Sequence, residues 1–394
     1  MEIKKLIKKV CVALGFKEVY LRHLTSKMKH SDVVYNVTNN QEERRALLVY
    51  ITFPFICEMS DEHHQNIWQA REMARIIGEF GYQVDVADYQ DPYVRLKQNY
   101  DLVVGLIPRN IDYYSKHLNE GALRVAYLTS MNLEVTTRNE QLRLEALKRR
   151  RGVDLKPCRG SLITISKEIE SFDAAWYIGN EYNYQSYNCF KMPPVSYIKN
   201  NGYQFDWYDA NVVHNPKKFL FLGSAGQVHK GLDLLLEVFS RPDCNAELYV
   251  CAAYEREQDF CKEYHQELFH TPNIHLEGFI DIFGERFKQL TQECAYMIMP
   301  SCAEGAAGSV LTAMSAGLIP IVSKECGYSE EDVISLPDCE LDTIKNYVNE
   351  FAAKDFSWIR EQSIRAHKIA SEKYSRETFT ESIYAAMRSL HKKV

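Results

Sequence analysis

The sequence predicts an α/β chain of two doubly wound domains, each a parallel sheet with helices on both faces. Three observations carry this expectation. Short apolar, β-branched runs of strand length alternate with helix-length segments along most of the chain. The alternation dissolves once, between about residues 200 and 216, into Asn, Gly, Asp and Tyr, and then restarts. The length of 394 residues suits two or three domains at roughly 150 residues each. Strands joined by helix-length connections pair in parallel, and such sheets bind ligands outside the carboxyl ends of their strands. Two of them joined near residue 215 are expected to face a common cleft.

The first domain is expected over 45–212. Its first strand is ALLVYITF, Ala46–Phe53. A helix follows with Ile67, Ala70, Ala74 and Ile77 on one face, closed by Gly81. Tyr82–Tyr89, Asp101–Pro108, Arg124–Thr129 and Phe172–Asn180 read as further strands. The second domain is expected over 216–375. Lys218–Gly223 is its first strand, leading into a helix with Leu232, Leu235, Leu236 and Phe239 on one face. Strands at Glu247–Cys251, Ile274–Leu276, Tyr296–Met299 and Ile319–Val322 complete it. The terminal segment 376–394 reads as a helix, about Thr378–Lys392, able to fold back onto the first domain. The N-terminal segment 1–44 begins with a basic amphipathic pattern. Ile3, Leu6, Ile7, Val10 and Leu14 share one helical face, and Lys4, Lys5, Lys8 and Lys9 lie largely off it. That pattern suits an anionic lipid surface or the protein's own surface.

Composition narrows the function classes. With 46% apolar and 25% charged residues the chain has ordinary globular composition, not that of a disordered one. A net charge of −6 gives no broad footprint for nucleic acid, and no such partner is expected. The eleven cysteines are odd in number and form no C-x-x-C, so they read as free thiols, several of them buried, in a reducing cytoplasm. No apolar run reaches the length of a membrane span. The expected location is therefore the cytoplasm, or the inner face of the plasma membrane if the basic N-terminal pattern meets lipid. A second basic run, Lys148, Arg149, Arg150 and Arg151 with Arg159 beyond it, reads first as a solvated helix end; facing a phosphate or a membrane is the alternative.

The chemistry concentrates in Met299–Ser323, MPSCAEGAAGSVLTAMSAGLIPIVS. A buried strand runs into a loop with one acid, Glu304, then the small residues Gly305, Ala306, Ala307 and Gly308, and a helix starts near Ser309. Small residues let a ligand approach the backbone. Free N–H groups and the partial positive charge of the helix start suit a diphosphate. Glu304 then stands at the rim, suited to sugar hydroxyls. A second segment, FLGSAGQVHKGLDLLLEVF (Phe221–Phe239), places a small-residue loop, Gly223–Gly226, and Lys230 before a helix. Lys230 reads as a phosphate cation or, blandly, as a solvated helix-start lysine.

These two segments carry a family resemblance. Met299–Ser323 resembles the donor-binding signature of retaining glycosyltransferases of family 4 and their relatives, PS-x-x-EG-x-G-x-x-x-x-E-A-M-A-x-G followed by P-V-V. Pro300, Ser301, Glu304, Gly305, Ala313, Met314, Gly317 and Pro320 match it, while Ala307 and Ser315 replace small residues by small residues. Phe221–Phe239 resembles that family's pattern of a glycine–arginine pair followed by Lys-Gly, matched at Lys230 and Gly231. The resemblance implies the two-domain GT-B fold and a nucleoside-diphosphate-sugar donor, with a glycan or lipid-linked saccharide as acceptor. It also implies retention of anomeric configuration and a place in bacterial cell-surface polysaccharide biosynthesis. By the same resemblance Glu304 contacts the donor sugar, Ser309 and Val310 at the helix start hold the diphosphate with Gly308, and Lys230 grips it beside Gly223 and Ser224. Gly305 adjoins the sugar, and Phe279 and Ile280 of LEGFID (Leu276–Asp281) face the base. Two positions depart from the pattern. Thr312 stands where the family's second glutamate binds ribose, and Ser224 stands at its arginine.

In the first domain His63, His64 and Asn66 open the first helix. They suit contact with acceptor or sugar, and equally a helix cap formed by Asn66 or Asp61 with the histidines exposed. No third ligand accompanies the histidine pair and no D-x-D motif is evident, so neither a metal nor any other cofactor is expected. The rivals are an epimerase or inverting transferase of similar fold, and a non-catalytic nucleotide-sugar-binding scaffold.

Overall fold

The computed structural model describes residues 33–57, 64–91, 94–105, 111–159 and 167–392. The basic amphipathic pattern at 3–14, and with it Asp61 and His63, lies outside them. The strands are β1 (Arg45–Tyr50), β2 (Gln83–Asp88), β3 (Tyr100–Gly105), β4 (Leu118–Leu128), β5 (Ala174–Ile178) and β6 (Val195–Ile198) before the polar break. After it come β7 (Asn215–Leu222), β8 (Glu247–Cys251), β9 (Ile274–Leu276), β10 (Cys294–Met299), β11 (Ile319–Ser323) and β12 (Ile334–Leu336). The helices that position the site and its surroundings are α1 (Gln65–Glu79), α2 (Leu133–Arg151), α3 (Leu232–Phe239), α4 (Glu285–Glu293), α5 (Gly308–Ser315), α6 (Leu341–Ala352), α7 (Phe356–Lys373) and α8 (Arg376–His391). No helix among the described residues is long and apolar enough to cross a membrane.

The strands form two six-stranded sheets, ordered β2-β1-β3-β4-β5-β6 and β12-β11-β10-β7-β8-β9. In the first, β1 pairs in parallel with β2 and β3, and β5 with β6. In the second, each neighbouring pair is parallel. The second sheet's order reverses between β7 and β10, so their two following loops diverge to opposite faces and leave a crevice. Those loops are the two segments that the sequence singles out.

The chain divides into two compact units, Met1–Val125 and Ala126–Val394, with β4 running through the boundary. In the first unit, Leu47, Leu48 and Val49 of β1 are fully buried, which is why a continuous apolar run is needed there. β1 ends earlier than the sequence suggests, because Pro54 sits in a short helical turn at Phe53–Ile56. α1 buries Ile67, Ala70, Met73, Ala74 and Ile77. Its N-cap is His64, whose Nδ1 accepts from the Asn66 amide at 3.2 Å; Asn66 is not the capping residue. His64 is exposed, so an end-of-helix role accounts for it as it stands.

In the second unit, α2 starts at an Asn132 cap and ends at Gly152 in the left-handed conformation, with Lys148–Arg151 in its last turn, where cations meet the negative end of the helix dipole. The expectation of a solvated basic end holds for the exposed Lys148 and Arg149 and is corrected for Arg150 and Arg151. Arg150 pairs with buried Asp233 at 2.9 Å and with Glu237, and Arg151 pairs with Glu263 and Glu267 at 2.6 Å each. Phe219, Phe221, Leu232, Leu235, Leu236, Phe239 and Tyr296 centre the core of the second sheet. The short strands β6 and β12 lie outside the sequence expectation; at four and three residues they leave too little periodicity to read. α8 opens with a capping box between Ser375 and Thr378. It lies against β6, where Ser382 Oγ accepts from the Lys199 amide. Every described cysteine is a free thiol.

Candidate donor site at the switch point of the second sheet

Two loops build the site: residues 223–231, between β7 and α3, and residues 300–307, between β10 and α5. The second loop is fixed through its carbonyls. Pro300 O accepts from Arg143 Nη2, Ser301 O from Ser323 Oγ, Cys302 O from Asn139 Nδ2 and Ala303 O from His229 Nε2. Asn183 Nδ2 donates to Glu304 O, Gly305 O and Glu325 O at 2.9 to 3.0 Å. Asn200 Nδ2 donates to Ala306 O and Tyr328 Oη to Ala307 O. Every carbonyl from Pro300 to Ala307 is thus an acceptor, as buried backbone requires. The loop is preorganised by residues distant in sequence. Gly305 has no room for a side chain: a Cβ there would lie 2.2 Å from Thr129 O and 2.8 Å from Ile178 O.

Held this way, Glu304 meets Lys230. Lys230 Nζ lies 2.5 Å from Glu304 Oε1, and Ser301 Oγ donates to the same oxygen at 2.8 Å. Both side chains are about nine-tenths buried, at 8% and 11% exposure. Burial alone would raise the Glu304 pKa, but Lys230, His229 and Arg159 outweigh it and bring the carboxyl down to about 2. At neutral pH Glu304 is therefore an acceptor only, able to take hydroxyl hydrogen bonds and unable to act as a general acid. Lys230 is positioned by Gly231, whose left-handed φ of 80° opens α3. The bland solvated-lysine reading does not hold, since Lys230 is buried in an ion pair.

His229 lies under this pair with 1% exposure. Its Nε2–H donates to Ala303 O at 2.7 Å, and Cys302 Sγ stands 3.6 Å from Nδ1. Burial lowers its pKa to about 4, with Lys230 and Arg159 adding to the shift and Glu304 opposing it. A histidine lowered from 6.5 to about 4 is neutral in the fold and charges more readily when unfolded. Its contribution to stability is full above pH 6.5 and is lost as pH falls toward 4. At roughly 1.4 kcal/mol per pKa unit the loss approaches about 3 kcal/mol. Chemical denaturation between pH 7 and pH 4.5 is expected to show a shallower loss of stability in His229→Gln than in wild type, the remainder coming from other buried histidines such as His214.

The helix start is the third component. α5 has no side-chain cap and no acidic residue in its first turn, which leaves its positive end uncompensated. Gly308, Ser309 and Val310 form this first turn, where the Val310 amide donates to Ala307 O at 3.1 Å and is not free for a ligand, and Ser309 Oγ contacts Met299 Sδ at 3.6 Å. Thr312 is buried and its hydroxyl donates to Gly308 O at 2.9 Å within the helix. With its proton engaged there, it offers a ribose hydroxyl only the lone pairs of a buried neutral oxygen, a weaker acceptor than a carboxylate. Thr312→Val is expected to change nucleoside diphosphate affinity less than about threefold, measured by calorimetry.

The remaining positions divide. The Gly223 amide is taken by Cys251 O at 2.9 Å, so Gly223 contributes close approach and no donor. Ser224 is exposed, and its carbonyl accepts from Gln227 Nε2 at 2.8 Å. Phe279 is 58% exposed beyond β9, with the Arg256 guanidinium 5.7 Å from its ring centre. Ile280 packs against the core. His64 and Asn66 belong to the other compact unit. Sequence reasoning missed Asn183, Asn139 and Asn200, and Glu257, whose carboxylate accepts from the Gly226 amide at 2.6 Å; their partners are far away along the chain and leave no spacing signal.

Residues 216–352 match the glycosyl transferases group 1 family. The match covers a single domain, about a third of the chain. That domain contains β7 to β12 and both site loops. No curated protein matches the chain in sequence. Among solved structures, sucrose-phosphate synthase from Thermosynechococcus elongatus is similar over 89% of this chain and 100% of its own, with a TM-score of 0.60 and 13% identity. The Anabaena protein HepE, solved with UDP-glucose, is similar over 88% of this chain and 99% of its own, at 0.53 and 15%. A TarM variant from S. aureus, solved with UDP among its ligands, is similar at 0.50 and 13% over 73% of this chain. The chain spans about half of TarM, 55% of its length. At these identities the likeness is one of architecture, and the architecture around the group 1 domain is GT-B.

Proposed function

We propose that this chain is a glycosyltransferase that moves a sugar from a nucleoside-diphosphate sugar to a saccharide or lipid-linked glycan acceptor. The observation that carries the reading is the buried Lys230–Glu304 pair, 2.5 Å apart, which joins the loops after β7 and β10 at the switch point of the second sheet. The ammonium and the uncapped helix start favour the negative charge that develops on a departing diphosphate. Glu304, ionised and acceptor-only, suits donor-sugar hydroxyls. Retention of configuration and a role in cell-surface polysaccharide assembly extend this reading from the family 4 resemblance, and independence of metal extends it from the lack of a D-x-D motif in the sequence. The UDP and UDP-glucose held by the TarM variant and by HepE make uridine donors the first to test. Peripheral attachment at the inner membrane face through the basic N-terminal pattern is part of the same proposal.

The test is incubation with a panel of uridine, guanosine and adenosine diphosphate sugars, with and without mono- and oligosaccharide acceptors. Release of nucleoside diphosphate and a glycosylated product is expected for one donor. An epimer formed without acceptor, or an inverted linkage, would move the assignment to the rival enzyme classes. Donor binding without turnover on any acceptor would favour the scaffold.

A further inference from the structure

We propose that Arg159 is a second cation of the diphosphate site, brought to the β7–α3 loop by the chain that leaves α2. This rests on the reading of the Lys230–Glu304 site as a nucleoside-diphosphate-sugar site. Charge balance creates the need. Lys230 shares its charge with Glu304, and His229 is held neutral by burial, so the net positive charge that Lys230 and the α5 start offer an incoming diphosphate is small. Three backbone amides of the β7–α3 loop are already engaged, and a neutral amide carries no full charge. Gly223 N is bonded to Cys251 O, and the amides of Gly226 and Gln227 are bonded to the Glu257 carboxylate at 2.6 and 3.1 Å. Further positive charge must come from a side chain.

Three observations place Arg159 there. Its backbone is anchored: the amides of Cys158 and Arg159 donate to Glu140 Oε1 at 3.0 and 3.2 Å, and Glu140 is buried on α2. Its stem lies on Gly226, where an added Cβ would stand 2.6 Å from Arg159 Cγ and 2.8 Å from Cδ; the φ of +87° at Gly226 also favours glycine. Its charge reaches the site, since it lowers the pKa of both Glu304 and His229. Among the described residues no carboxylate pairs with its guanidinium, whereas Lys148, Arg150 and Arg151 are each paired. Arg159 is exposed, so it can turn to a phosphate oxygen. A guanidinium is suited to that contact by its fork of donors.

The test is calorimetric titration of the full chain with uridine, guanosine and adenosine diphosphates, their parent nucleosides, and inorganic pyrophosphate. Arg159→Met keeps the stem over Gly226 and removes the charge; its melting temperature, matched to wild type, establishes that it folds. It is expected to weaken the best nucleoside diphosphate, and pyrophosphate, by about ten- to hundredfold, with the nucleoside unaffected. Arg159→Lys is expected to recover part of the loss, and the salt dependence of binding is expected to become shallower in Arg159→Met. Diphosphate affinity within twofold of wild type overturns the proposal, as does an equal loss for the bare nucleoside. If Lys230→Ala weakens binding and Arg159→Met does not, the site reading stands and this inference fails. If neither variant changes binding, or wild type binds no diphosphate, both fail.

Discussion

Lys230→Ala is expected to lower transfer by about a hundred- to a thousandfold, the loss typical of removing one preorganised group that faces developing charge. It is also expected to destabilise the fold, because Glu304 is left ionised and nine-tenths buried with Ser301 as its main remaining partner. Breaking a buried pair from one side costs about 3–5 kcal/mol. The two effects separate in the double variant Lys230→Met with Glu304→Gln, which removes both charges at similar volume. Stability is expected to recover most of the loss, while activity stays at the level of the single variant. Denaturant midpoints and donor turnover on the same preparations check this. Recovery of both together would mean that the pair serves folding alone.

Gly305→Ala is the second large effect. Its Cβ would fall 2.2 Å from Thr129 O and 2.8 Å from Ile178 O. Both neighbours are backbone, so no rotamer change relieves the clash. Gly305 O is also held by Asn183 Nδ2 at 3.0 Å, and displacement of the loop breaks that bond with its neighbours. Overpacking of this kind costs about 1–3 kcal/mol. The shift also moves Glu304, the adjacent residue, away from Lys230. The variant is expected to melt lower and to lose donor turnover at least as severely as Lys230→Ala. A crystal structure or a proton–deuterium exchange profile is expected to place the change in residues 300–307. A Gly305→Ala variant with wild-type melting and turnover would mean that the close approach is not required.

The architecture was legible because doubly wound sheets write themselves as apolar runs at regular spacing. β8 and β9 begin and end where the sequence places them, at Glu247–Cys251 and Ile274–Leu276. Strands of three and four residues, such as β12 and β6, carry no readable period, and the polar start of β4 masks an eleven-residue strand. Within the site, Glu304, Lys230 and the α5 start were legible because each lies within a few residues of a strand end. The network that fixes them was not. Asn183 meets Glu304 O from 121 positions away, and Asn200 meets Ala306 O from 106. A single asparagine in a tyrosine-rich stretch gives no sign of this. The basic run misled in an instructive way: Arg150 and Arg151 are spent on ion pairs within the fold, and the outlying Arg159 is the member that reaches the site. Thr312 was readable as a departure, but only the fold shows its hydroxyl turned back to Gly308 O.

The central claim is that the crevice marked by Lys230, Glu304 and the start of α5 is the seat of a nucleoside diphosphate. Isothermal titration of uridine, guanosine and adenosine diphosphates into wild type and Lys230→Ala tests it most directly. One diphosphate is expected to bind wild type at micromolar concentration, and Lys230→Ala is expected to weaken it by about tenfold or more. Binding of equal strength to both proteins, or no binding to wild type at millimolar concentration, would contradict it.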